Sequence, residues 1–278
     1  MLTRILSIVA ILLPTAAFAA GPPQRIVSIN LCADELLVTL ADPGQVAALS
    51  IYGADPNLSY VADAAKAFRH DAASAETVVG LNPDLVLAGR YTKRATRDML
   101  GRLGYRVELL DAARSIADSE KQIRQVAAVV GHPERGEALV ASIEAARARA
   151  EAAAPAARPT AANYQRRGYV TGGNTLTAEL LDIAGFTDDG AALAGKTGGF
   201  VPLEKLVAAP PDYIVVSAAV RRAEDQGSAL LAHPALARLY PPARRVVLPD
   251  KLTVCGGPSL PAALDWLAGE AQRIQPTP

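Results

Sequence analysis

Residues 74–88 read SAETVVGLNPDLVLA. Ser74 is suited to cap a short helix that carries Glu76, Pro83-Asp84 breaks it, and the apolar run that follows has the look of a buried strand. The same plan returns at residues 202–216, PLEKLVAAPPDYIVV. Glu76 matches Glu204, Pro83 matches Pro211 and Asp84 matches Asp212, each pair 128 residues apart. The apolar pairs Val79 with Val207 and Val86 with Ile214 keep step. Solenoid repeats recur every 20 to 50 residues or so, and this echo is far longer. It predicts two similar lobes, each with an exposed Glu at the start of a short helix.

The chain has 278 residues, half of them apolar, with 28 basic and 28 acidic side chains. That length suits one large domain or two lobes of ordinary size. Balanced charge supplies no general field for nucleic acid or an anionic membrane, so any charge-based recognition is local. At the N-terminus Arg4 is the only charge before Arg25, residues 5–13 form an apolar core, and Ala17-Phe18-Ala19 supplies the small residues of a cleavage site. This predicts a signal peptide, residues 1–19, removed after Ala19. The apolar run is too short for a permanent span, so the expected product is exported and soluble in the periplasm. Export places Cys32 and Cys255 in an oxidising compartment. An even count permits one bridge between them, and two separate buried thiols are the alternative. His70, His132 and His233 are scattered and there is no CxxC, so no metal site and no bound cofactor is expected.

Taken in order, residues 25–29 (RIVSI) read as a buried strand, and Asn30, or Asp34 a turn later, caps the next helix. Further strands are expected at 45–50, 85–88 and 105–110, with a helix at 92–103 between the last two. This β-α-β alternation argues for a mostly parallel sheet covered by helices. A helix over 115–130 ends at Gly131-His132-Pro133. Residues 134–153 are rich in Ala, Glu and Arg and predict one helix of about 30 Å. The second half restarts with strands near 160–164, 213–216 and 244–248 and closes with a helix over 262–274. Trp266 shares a helical face with Ala262, Ala263 and Leu267 and is assigned to the core.

With those residues in view, the chain from Arg25 to about Ile274 resembles the substrate-binding proteins of bacterial importers for ferric siderophores, haem and vitamin B12. The two E-x₆-P-D stretches, the opening RIVSINLCADELL and the Ala-rich helix between the halves carry the resemblance. It implies an α/β fold of two lobes with mostly parallel sheets, joined by one long rigid helix, with a ligand cleft between. The boundaries read here are an N-terminal lobe at 20–131, a connecting helix at 132–154 and a C-terminal lobe at 155–278. It also implies that Glu76 and Glu204 dock the protein, a monomer, to arginines of an ABC permease.

Ligands of doubly wound sheets sit beyond the carboxyl ends of the strands. The loops there offer Tyr52, Tyr91 and Tyr164 for flat apolar contact with a polar tip. Arg90, Arg166, Arg221 and Arg222 are suited to anionic groups. The expected cargo is a metal chelate, a cobalamin-type corrinoid or a ferric siderophore. Bridging Cys32 to Cys255 would tie the lobes together and limit their opening. There is no nucleophile elbow and no dinucleotide motif, and no histidine sits beside a nucleophile motif, so an enzyme is not expected. A chelate-binding or sensor protein without a transport role is the alternative.

Overall fold

The structure is a computed structural model that describes residues 21–71, 74–217 and 230–274. The expected leader at 1–19 and the two arginines Arg221 and Arg222 lie outside the described residues.

The first lobe opens with β1 (Ile26–Ser28), α1 (Leu31–Leu40) and β2 (Val46–Ala48). It continues through α2 (Ala62–Ala65), α3 (Ala75–Gly80), β3 (Leu85–Gly89), α4 (Arg94–Arg102) and β4 (Val107–Leu110). Two helices follow, α5 (Ile116–Val130) and α6 (Pro133–Ala153). The second lobe contains β5 (Thr160–Asn163), β6 (Tyr169–Val170), α7 (Leu176–Ile183), β7 (Thr187–Asp188), α8 (Gly190–Ala194) and β8 (Gly199–Phe200). It ends with α9 (Leu203–Ala208), β9 (Tyr213–Ser217), α10 (Pro234–Leu239), β10 (Arg245–Leu248) and α11 (Leu260–Arg273).

Two four-stranded parallel sheets result, ordered β2-β1-β3-β4 and β7-β5-β9-β10, with β6 and β8 forming a small antiparallel ribbon. The two orders correspond strand for strand. The echo read in the sequence holds at both ends of its elements, since α3 and α9, like β3 and β9, begin and end 128 residues apart. The Pro-Asp pair has a physical job that both lobes share. Asp84 accepts the N–H groups of Gln24 and Arg25, just ahead of β1. Asp212 accepts the N–H and hydroxyl of Thr160, the first residue of β5. Each aspartate thus ties the start of one central strand to the start of its neighbour.

Because strand side chains alternate between faces, each sheet feeds two cores. Ile26, Leu85 and Leu87 point to one side, with Val27 and Val86 on the other, under Val78 and Leu100. In the second sheet Ala161, Val215 and Val246 face inward, while Ala162, Ile214 and Val216 pack outward with Leu206, Leu236 and Tyr240. The inner faces of both sheets share a single apolar centre with α1, α5, α6, α7 and α11.

α6 is the element that spans the two lobes. Its 21 residues extend about 30 Å, starting with Pro133, whose missing N–H costs nothing at that position. Its buried stripe is small: Gly136, Val140, Ile143, Ala146 and Ala150. A Cβ on Gly136 would lie 2.6 Å from that of Ala127, so glycine is what lets α5 approach. Near its start Arg135 binds the Leu40 carbonyl and Asp42 of the first lobe. Farther along, Arg149 holds Asp265 of α11 with two nitrogens. The expectation for Trp266 is corrected: it is 44% exposed, at the flank of α11, with its indole N–H donating to the Val247 carbonyl at 2.9 Å. Among the described residues, no helix is long and apolar enough to cross a membrane.

Candidate functional site

The carboxyl ends of β1, β2 and β3 open onto a groove of about 510 Å³. Its walls include Ile29, Ile51, Tyr52, Leu58, Tyr91 and Lys93. Tyr52 is 51% and Tyr91 80% exposed, so both rings have surface open to a ligand in the groove. Local sequence explains how the loops converge there. Asn30 caps α1, its side-chain oxygen accepting the N–H groups of Cys32 and Ala33. Gly89 at the end of β3 passes so close that a Cβ there would meet the Asn30 amide at 2.5 Å. The Thr92 hydroxyl then accepts the Gly89 N–H, turning the chain so that Tyr91 projects.

Below the groove lie two adjacent carboxylates with no exposed surface, Asp34 and Glu35. The cap belongs to Asn30, so Asp34 turns inward instead. It accepts both the N–H and the hydroxyl of Ser50. Glu35 accepts the Tyr60 N–H at 2.8 Å, and its second oxygen has no hydrogen-bond partner. The pair therefore holds both ends of the 50–60 segment that carries Ile51, Tyr52 and Leu58. Burial pushes Asp34 up to about 6, against bonds from Ser28 and Ser50 and the nearby His70. Burial pushes Glu35 up to about 7, opposed by the Tyr60 N–H and reinforced by the Asp34 charge. The His70 ring nitrogens face the carbonyls of Ser50 and Ala65.

A disulfide joins Cys32, in the first turn of α1, to Cys255, in the loop ahead of α11. That loop wedges between the lobes, with Gly256 against Ala113, Ser119 and Leu176 and Gly257 against Leu36. Nearby, the Ile116 N–H at the start of α5 donates to Glu179 of α7.

A second, more polar pocket of about 330 Å³ lies beyond the end of β4, and Tyr91 lines both cavities. Arg90 belongs to this pocket and pairs with Asp111 at 2.6 Å. Arg166 is exposed on the short turn between β5 and β6 and is not part of either wall. Tyr164 requires a correction. It is completely buried, its hydroxyl donating to the Val201 carbonyl, and burial, with the charge of Glu204, raises its pKa. It supports the start of α9 and does not face the groove. All groove-lining residues come from the first lobe, so the lining is one-sided among the described residues. Sequence reasoning missed Leu58, Lys93 and Thr96, which line it too. Lys93 lies two residues past Tyr91, whose place among the predicted loop residues is the one signal that pointed to it.

Glu76 and Glu204 are exposed in the first turns of α3 and α9. Each helix leads into a strand of a parallel sheet and runs back against it, so its start lies on the edge where strands end. By that topology each carboxylate lies toward the carboxyl-end edge of its own sheet. Among the described residues no cluster of three or more His, Cys, Asp or Glu is placed to hold a metal ion.

A family model described as periplasmic binding protein matches residues 26–245. A cobalamin-binding protein of Halobacterium salinarum is 28% identical over 229 residues, covering 81% of this chain and 62% of its own. The chain thus spans less than two thirds of that relative's length. The apo periplasmic heme-binding protein RhuT from Roseiflexus sp. RS-1 superposes with a TM-score of 0.75 at 24% identity, over 92% of this chain and 100% of its own. That likeness concerns the fold. A periplasmic heme binding protein from Pseudomonas aeruginosa gives a TM-score of 0.68 at 26% identity, over 89% of this chain and 92% of its own.

Proposed function

The chain belongs to the periplasmic binding protein family, and from that premise we propose that it carries a metal chelate of the tetrapyrrole kind, a corrinoid or haem, to an ABC importer. The observation that carries this reading is the groove with Tyr52 and Tyr91 exposed on its walls. A flat macrocycle offers such rings a large apolar face, while their hydroxyls stay available to polar edges or to the metal. The relatives that bind cobalamin and heme support the same class. A ferric siderophore is the second reading, favoured by the arginines around the cleft. It is weakened by Arg90, whose charge is already met by Asp111.

In this reading the mature protein starts after Ala19 and works in the periplasm as a monomer. Residues 20–131 and 155–278 form its lobes, and 132–154 is the connecting helix. Glu76 and Glu204 meet the permease. Its task is binding, with no chemical step. A thermal-shift comparison of cobalamin, haem, a ferric hydroxamate and a ferric catecholate tests the cargo. A ligand at one hundred times its dissociation constant stabilises the folded state by about 2.7 kcal/mol. For a chain of this size that is a rise on the order of 5 to 10 °C. The expected result is such a rise with a tetrapyrrole and its loss in Tyr52→Ala and Tyr91→Ala. A rise with a siderophore alone moves the reading to that class, and no rise with any of the four overturns it.

A further inference from the structure

We propose that the polar pocket beside the groove receives an anionic arm of the cargo, a carboxylate or a phosphate, while the macrocycle lies in the groove. This rests on the groove being the chelate site. The two cavities share one wall, the Tyr91 side chain. A ligand lying on that ring borders both cavities.

The charges in the pocket favour an anion. Five charged side chains line it: Arg90, Arg114 and Lys121 against Asp111 and Asp118. Arg90 is matched by Asp111 at 2.6 Å. Asp118 is engaged locally, accepting the Arg114 backbone N–H at 3.0 Å. Its own N–H donates to the hydroxyl of Ser115, the cap of α5. With Arg90 and Asp111 matched, the Arg114 guanidinium and the Lys121 ammonium stand against the single Asp118 carboxylate and leave the lining one positive charge in excess; neither cation is in an ion pair among the described residues. The 15-residue α5 also begins here, adding the positive end of its dipole. Asp111 is committed to Arg90 through Oδ1, and its backbone carbonyl accepts from the Gln122 amide at 2.5 Å.

The groove and the pocket therefore differ in chemistry and adjoin in space. A purely apolar cargo would leave the pocket unused. A chelate with a flat body and a charged substituent fits both. Haem has carboxylates at one edge, and cobalamin has a phosphodiester in its nucleotide arm. The shared feature is an anion several bonds from the ring, and the two sources are separable by probe.

The test measures dissociation constants for two pairs that differ in the anionic arm: haem against its dimethyl ester, and cobalamin against cobinamide, which lacks the whole nucleotide arm with its phosphodiester. Each is titrated into the wild-type protein and into the double variant Arg114→Ala with Lys121→Ala. In the wild type the member of one pair that carries the anionic group should bind about tenfold more tightly than its partner, as expected of a partly exposed charge-assisted contact. That preference should vanish in the double variant and shrink as salt is raised. The pair that shows it identifies the source as carboxylate or phosphate. If the members with and without the anionic group bind the wild type equally, or the double variant keeps the preference, the arm is overturned while the groove stands. If no member of either pair binds the folded wild type, both readings fail together.

Discussion

Glu35 is the residue whose chemistry is least ordinary for its place. A carboxylate with no exposed surface and one oxygen without a partner is costly to ionise. Its pKa rises from 4.5 to about 7, and that of Asp34 beside it from 3.8 to about 6. Between the ordinary and the raised value the folded chain holds a proton that the unfolded chain has released. Stability therefore falls as pH rises through about 4 to 7 and levels off above it. At about 1.4 kcal/mol per pK unit, the Glu35 share is on the order of 3 kcal/mol. Glu35→Gln keeps an acceptor for the Tyr60 N–H and removes this titration. Urea unfolding at pH 5, 6, 7 and 8 should then show a shallower decline, with the remaining slope belonging to Asp34. An unchanged slope in the variant would mean that Glu35 is not the titrating group. Nothing local announces this pair: acidic residues in a first helical turn ordinarily cap or face water, and their depth follows from Ser50 and Tyr60 arriving from elsewhere. Tyr164 and Trp266 went wrong for the same reason. Periodicity states which face of an element a side chain occupies, while the distance from that face to solvent depends on what packs beside it.

At the scale of elements much more was legible. The Pro-Asp break and its flanking apolar runs are short-range signals, so α3 with β3 and α9 with β9 could be placed from the sequence with their common offset. The reason for the Asp was not visible, because its partners at Gln24, Arg25 and Thr160 lie 52 to 60 residues away. The groove was legible by its loops and incomplete in its lining, since Leu58 and Thr96 carry no pattern that marks them. The two helices also carry the docking proposal. Glu76 and Glu204 each occupy a first turn, where the helix dipole already favours a negative charge, and that alone is a sufficient local reason for them. Their repetition toward the carboxyl-end edge of both sheets is what points to a partner that reads two charges at a fixed separation. Exposed charges at a rim set association and orientation more than affinity. Glu76→Lys with Glu204→Lys should accordingly leave chelate affinity unchanged and the melting temperature nearly so, while uptake through the permease is lost. Normal uptake by that double variant would remove the docking role and favour a binding or sensor protein that does not deliver its ligand.

For the whole molecule the question is what keeps the two lobes in register. Besides α6 itself, two devices bear on this. One is covalent, the Cys32–Cys255 bridge, closing a separation of 223 residues. The other is the apolar centre that both sheets share, in which Leu36 and Leu37 of α1 join Leu180 and Leu181 of α7 and Leu264 of α11 around Ile143 of α6. A bridge acts mainly by restricting the unfolded chain, and it is typically worth 2–5 kcal/mol in a protein that natively contains it. It does little to the folded shape if packing already fixes that shape. Opening the lobes would pull Gly257 from Leu36 and Gly256 from Ala113. It would also strip the α6 stripe, whose small residues tolerate close neighbours and leave little slack. The packed centre should therefore hold the lobes and the bridge should add stability. Replacing both cysteines by serine should lower the unfolding free energy by about 2 to 5 kcal/mol. The radius of gyration from small-angle X-ray scattering, with and without ligand, should stay at the wild-type value. A larger radius in the ligand-free variant, returning to the wild-type value on binding, would reverse that order. The bridge would then be what prevents the cleft from opening, and ligand capture in its absence would have to include a closing step.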